Sequence, residues 1–113
     1  MSATSRWEVR LELLLTADGL DDEELSERLS RHFAARGIDA LPQLTLASDG
    51  TAETVGANLT VPATTPGDAL DQALERLRGA CAELDIPAGP LDEAVVRRAD
   101  VDPRLAAGER HRA

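Results

Sequence analysis

This chain has 113 residues, 42% of them hydrophobic and only 2% aromatic, and it carries 21 acidic side chains against 12 basic ones for a net charge of -9. That length and composition suit a single domain with an aliphatic core. The acidity repels phosphate backbones and anionic bilayers, and the scarcity of rings removes the stacking platforms of single-stranded nucleic-acid sites, so neither nucleic acid nor membrane is an expected partner.

The expected order begins with a long strand. In the stretch WEVRLELLLTA, Trp7, Val9, Leu11, Leu13 and Leu15 share one parity, and Glu8, Arg10, Glu12 and Thr16 share the other. A period of two sends these sets to opposite faces of a sheet, and the length of the run suits a central strand. A turn at Ala17-Asp18-Gly19-Leu20 leads into a helix capped by Asp21, with Glu24 three residues on and Leu20 and Leu25 placed as a hydrophobic staple. Leu25, Leu29 and Phe33 form its apolar stripe, and Gly37 ends it with Ile38 returning to Phe33.

A second strand is expected over 41–47, with Leu44 and Leu46 inward and Pro42 marking an edge. Asp49-Gly50 is a hairpin signal, after which Val55, Ala57, Leu59 and Val61 alternate with Thr54, Gly56, Asn58 and Thr60. Thr65 caps a second helix, with Pro66 at its first position and an apolar stripe of Leu70, Ala73, Leu74, Leu77, Cys81 and Leu84. Pro87-Ala88-Gly89-Pro90 breaks the chain. A last strand over 91–101 is the weakest element, because EAVVRRA also suits a helix start.

Strand, helix, strand, strand, helix, strand is the ferredoxin-like βαββαβ order, an α+β fold with a four-stranded antiparallel sheet and two helices on one face. Residues 1–6 and 103–113 are expected to be flexible, with the domain over 7–102. A lone cysteine excludes an internal disulfide framework and fits a reducing compartment, MSATSR lacks the apolar core of a signal peptide, and Leu13 to Leu15 is far too short to cross a bilayer. The chain therefore reads as a soluble cytoplasmic protein.

Chemical motifs are scarce. There is no phosphate loop, paired metal-ligand spacing or serine elbow, so no catalytic residue, metal or cofactor is assigned. His32 and His111 lack spaced partners, and Cys81 reads as a small buried hydrophobe; the Asp18, Asp21, Asp22 and Glu23 cluster suggests a cation site but lacks the alternating oxygen ligands and central Gly of a calcium loop, and helix capping accounts for Asp21 and Glu24. The sheet face turned from the helices would carry Glu8, Arg10, Glu12 and Leu14 beside Thr54, Gly56, Asn58 and Thr60, with Gln43 and Thr45 from the second strand. As a solvated polar face it should tolerate Glu12→Ala with little change in stability. Glu8, Arg10, Glu12 and Asn58 are its candidate ligand or interface residues. Gly19 and Leu20 form the other candidate, because the Asp18-Gly19 turn is similar to one that metabolite-sensing domains of this topology place at a subunit interface, where they bind an amino acid.

The first functional expectation is a non-enzymatic interaction module that docks on itself, as a dimer, or on a larger protein through an exposed sheet edge. The alternative is a regulatory domain holding a small metabolite between subunits. A small enzyme using Glu8 and Glu12 as acid and base is the third.

Overall fold

The computed structural model describes residues 4–99. In chain order the elements are β1 (Ser5–Leu15), α1 (Asp22–Ala35), β2 (Ala40–Gln43), β3 (Thr54–Ala63), α2 (Pro66–Glu83) and β4 (Ala88–Arg98). The fold is α+β: one antiparallel sheet of four strands in the order β2-β3-β1-β4, with two helices.

β1 is the strand with a neighbour of full length on each side. Its register with β3 runs unbroken from Ser5 opposite Ala63 to Leu14 opposite Thr54. Val9, Leu11 and Leu13 are completely buried, and they meet Val55, Ala57, Leu59 and Val61 of β3 in a single core with the inner residues of both helices. At about 25 cal/mol per Å² of apolar surface, the fully buried Val and Leu side chains among these stabilise the fold by roughly 1.5–3 kcal/mol each. Trp7, at the start of β1, is half-buried and donates its indole N–H to the Ala63 carbonyl at 2.9 Å.

The helix ends follow local sequence rules. The Asp21 carboxylate accepts from the Glu24 N–H at 2.9 Å, and Leu25, Leu29 and Phe33 are the buried residues of α1. Gly37 takes the left-handed conformation, φ 65°, and Ile38 N–H returns to the Phe33 carbonyl at 2.9 Å. Thr65 caps α2 through the Asp68 N–H at 3.1 Å. The far end of α2 repeats the closing motif with Asp85 at φ 55° in the left-handed position and Ile86 N–H on the Cys81 carbonyl at 2.9 Å. The Arg28 guanidinium of α1 donates to the Leu84 carbonyl, tying the two helices together there.

Five expectations need correction. β2 is shorter than the expected 41–47: it ends at Gln43, and beyond it only an isolated bridge, Leu46 to Ala52, continues the pairing. Leu44 does pack against the core, but Leu46 is 47% exposed rather than inward. The fully buried face of α2 is centred on Ala69, Ala73, Leu77, Ala80 and Cys81, with Leu70, Leu74 and Leu84 only half-buried at its margins. The last segment is a strand over 88–98 and runs straight through Pro90, which an edge strand tolerates because one of its sides needs no ladder hydrogen bonds. β1 also begins at Ser5, earlier than Trp7. Residues 1–3 and 100–113, including half of the N-terminal stretch and all of the tail expected to be flexible, His111 and the end of the expected last strand, lie outside the described residues. Among the described residues no helix is long and apolar enough to cross a membrane.

Two predictions arise from these contacts. A left-handed conformation strains any residue with a Cβ, so Asp85→Gly should raise stability by about 0.5–1 kcal/mol, read as a higher midpoint in urea unfolding. Burial pushes the Cys81 thiol up to about 11 from an ordinary 9.0, against a smaller opposing influence of Arg78. Below pH 9.0 the thiol is neutral in both states; above it only the unfolded chain loses the proton, so stability should fall as pH rises toward about 11. The loss is about 2–3 kcal/mol, and denaturation series across this window should show it in the parent and not in Cys81→Ala.

Candidate functional site

The open sheet face is built from cross-strand rows set by the registers. Thr60, Glu8 and Arg97 form one row; Leu41, Asn58, Arg10 and Val95 form the next; Gln43, Gly56, Glu12 and Glu93 form the third. Arg97 Nη2 donates to Glu8 Oε1 at 2.8 Å and Asn58 Nδ2 donates to the same oxygen at 3.3 Å. The Arg97 hydrogen bond, followed by that of Asn58, holds the Glu8 carboxyl below its ordinary 4.5. A carboxylate held ionised in this way is a poor proton donor at neutral pH.

Beside this pair lies a cleft of about 220 Å³ lined by Glu8, Arg10, Gln43, Asn58, Val95 and Arg97. Because Asn58 commits its NH₂ group to Glu8, its Oδ1 points the other way, buried and without a hydrogen-bond partner among the described residues. Gln43 Oε1 is buried and unpartnered as well. Two buried acceptors beside an exposed guanidinium make a cleft that satisfies a donor at one wall and an acceptor at the other.

Glu12 lies on this face but, contrary to expectation, is not solvated: it is only 6% exposed. Gly56 stands opposite it on β3, and without a Cβ there the Glu12 side chain lies flat across the strand. Its Oε1 then accepts from Thr45 Oγ1 at 2.6 Å and from Thr54 Oγ1 at 2.7 Å, while Thr54 Oγ1 in turn accepts from the Thr45 N–H at 2.8 Å. The chain after β2 is thereby closed over this end of the face. The acid–base pairing expected of Glu8 and Glu12 is replaced by two separate commitments.

Gly19 and Leu20 lie elsewhere. Glu8 is seven residues from the end of β1 at Leu15, roughly 23 Å along an extended strand. Gly19 has φ 76° with open space where a Cβ would be, and the Leu20 carbonyl accepts from Ala52 N–H at 3.0 Å. A separate hollow of about 510 Å³ is lined by Leu14, Asp18, Ala47, Asp49, Thr51 and Glu53 among others, but Asp49 is already engaged by the Thr51 hydroxyl at 2.6 Å. His32 sits in a groove between the helices, its Nδ1 3.5 Å from Glu83 Oε2, with Arg36 paired to the same carboxylate. Among the described residues no three His, Cys, Asp or Glu side chains are placed to hold a metal ion.

The second surface is the edge of the sheet at β4. Its residues are exposed or half-buried throughout, with Val95 48% and Leu91 38% exposed. Register shifts against β1 between Glu12 and Leu13 and between Leu13 and Leu15, together with Pro90, make its first half irregular. From Glu93 to Arg98 the pairing is regular. Sequence reading missed Glu93, Val95 and Arg97, although EAVVRR, once taken as a strand, puts all three on one parity. No protein-family model, curated protein or solved structure matches this chain.

Glu12→Ala should leave the Thr45 and Thr54 hydroxyls without their acceptor and cost about 1–3 kcal/mol, measured by urea unfolding. Gly56→Ala should cost more, because its methyl would be driven into the Leu11 carbonyl oxygen and would lie 2.8 Å from Glu12 Cγ.

Proposed function

We propose that this chain is a non-enzymatic interaction module on a ferredoxin-like scaffold, which self-associates or docks on a larger protein by adding a strand to the edge of β4. The scaffold reading is supported by the element order and by β1 and β3 lying inside the sheet with β2 and β4 at its edges. The functional reading is carried by one observation: a regular strand at the sheet margin, Glu93 to Arg98, with Val95 exposed on it. β2, the opposite edge, offers only four residues with Pro42 among them. An edge with unpaired backbone groups is a template for another strand, and main-chain hydrogen bonds supply the affinity.

A second reading is favoured by the cleft. The unpartnered Gln43 Oε1 and Asn58 Oδ1 beside Arg10 suit a small polar metabolite, and Val95 and Arg97 place that cleft next to the docking edge. A regulatory domain would use both surfaces together. Carboxylate catalysis is the reading this arrangement supports least, given the engagement of Glu8 and Glu12.

Sedimentation over a wide concentration range tests the first reading. The parent should associate, and Ala94→Pro should remain a monomer with a melting temperature near the parent's, since residue 94 turns its N–H away from β1. A parent that stays monomeric throughout removes self-association from the proposal. A metabolite that raises the parent's melting temperature but not that of Arg10→Ala would shift the balance to the second reading.

A further inference from the structure

We propose that the partner is a second copy of this chain, with β4 pairing antiparallel to β4 across a twofold axis at Val95, so that Glu93 of each copy faces Arg97 of the other. This rests on the reading of β4 as the docking edge and specifies its occupant.

The hydrogen-bonding parity of β4 is fixed by its end. Ala99 N–H donates to the Arg6 carbonyl at 2.9 Å, and the register continues without shift from Trp7 opposite Arg98 to Glu12 opposite Glu93. Hydrogen-bonded pairs alternate in an antiparallel ladder, so Arg97, Val95 and Glu93 turn their backbone groups toward β1. Ala94 and Val96 turn theirs outward. A twofold axis perpendicular to the sheet keeps each face on its own side, so residues facing each other across the new ladder must share parity.

Charge then selects among the registers that this parity allows. Centred on Ala94, the ladder sets Glu93 against Val95 of the partner; centred on Val96, it sets Arg97 against Val95 and Glu93 against Ala99. Centred on Val95, it sets Glu93 against Arg97 twice, once on each side of the axis. Ala94 and Val96 of the two copies then exchange hydrogen bonds, and the half-exposed Val95 covers its own twin. β4 is acidic at one end, Asp92 and Glu93, and basic at the other, Arg97 and Arg98, so an antiparallel copy meets it with opposite sign. Within one chain Glu93 faces Glu12 across β1, a like-charge neighbour that a facing Arg offsets. Arg97 already donates to Glu8 at 2.8 Å and has further guanidinium donors for a second carboxylate.

One strand pair of this length buries less than the roughly 1,200 Å² of a standard interface, and a net charge of -9 on each copy opposes approach. The dimer is therefore concentration-dependent, and salt screens both the overall repulsion and the exposed Glu93–Arg97 pairs.

The experiment uses Glu93→Arg and Arg97→Glu, each checked for folding by its melting curve. Alone, each variant sets like charges against each other and should self-associate at least roughly tenfold more weakly than the parent; mixed in equal amounts, the two should form a heterodimer in native mass spectra. Val95→Cys in a Cys81→Ala background should form an intermolecular disulfide on mild oxidation, because a non-hydrogen-bonded pair on the axis brings the Cα atoms to about 4.5 Å, while Leu41→Cys on the opposite edge should not. Association that is abolished by Ala94→Pro yet shows no heterodimer preference and no Val95→Cys disulfide would overturn this pairing while leaving β4 as the docking edge. A parent that is monomeric at every concentration and gives no Val95→Cys disulfide would overturn the twofold pairing, and self-association with it.

Discussion

The pleat of β1 is the constraint on which the remaining structure depends. Its alternation sends Val9, Leu11 and Leu13 into the core and Glu8, Arg10 and Glu12 to the opposite face, so a slip of one residue would turn three charged side chains into the apolar core and three leucine or valine side chains out of it. Because β3 and β4 both pair with this strand, that choice is passed to them: Val55, Ala57, Leu59 and Val61 follow it inward, and Asn58, Val95 and Arg97 follow it outward. The helices then cover the apolar parity. The candidate surfaces on the open face inherit their composition from a pattern selected for packing.

Features written within a few residues of one another were legible from the chain. The Asp21 cap, the Phe33 to Ile38 closure at Gly37 and the Thr65-Pro66 start of α2 each need only neighbours in sequence, and all were read correctly. Alternation in β1 and β3 was equally plain. What escaped depends on distant partners. Glu12 looks like a solvent-facing acid because nothing near it reveals Thr45 and Thr54, which lie 33 and 42 residues away, or the missing side chain at Gly56. The apolar stripe of α2 was legible in Ala73, Leu77 and Cys81, with Leu70, Leu74 and Leu84 at its margins, but buried Ala69 and Ala80 escaped because a hydrophobic stripe ranks leucine above alanine. β4 was ambiguous because short apolar runs suit either period, and only pairing with β1 resolves it.

The cleft and the edge are not independent surfaces. Val95 and Arg97 line the first and belong to the second, and Arg97 holds Glu8, which in turn orients Asn58. Anything that draws the Arg97 guanidinium away from Glu8 loosens the carboxylate that fixes the Asn58 amide, and so changes which atoms the cleft presents. Arg97, Glu8 and Asn58 thus form one hydrogen-bonded chain that runs from the edge strand into the cleft.

The absence of a side chain at Gly56 also bears on how this protein can change over generations. Glu12, Gly56, Thr45 and Thr54 form one unit: the acid needs the empty space, and the hydroxyls need the acid. A lineage that replaced Gly56 first would lose the room for Glu12 before gaining anything in return. Exchange of the acid for an apolar residue would leave the buried Thr54 hydroxyl without its acceptor. Substitutions at these four positions are therefore contingent on one another, and descendants are expected to inherit the set intact or to replace it as a whole.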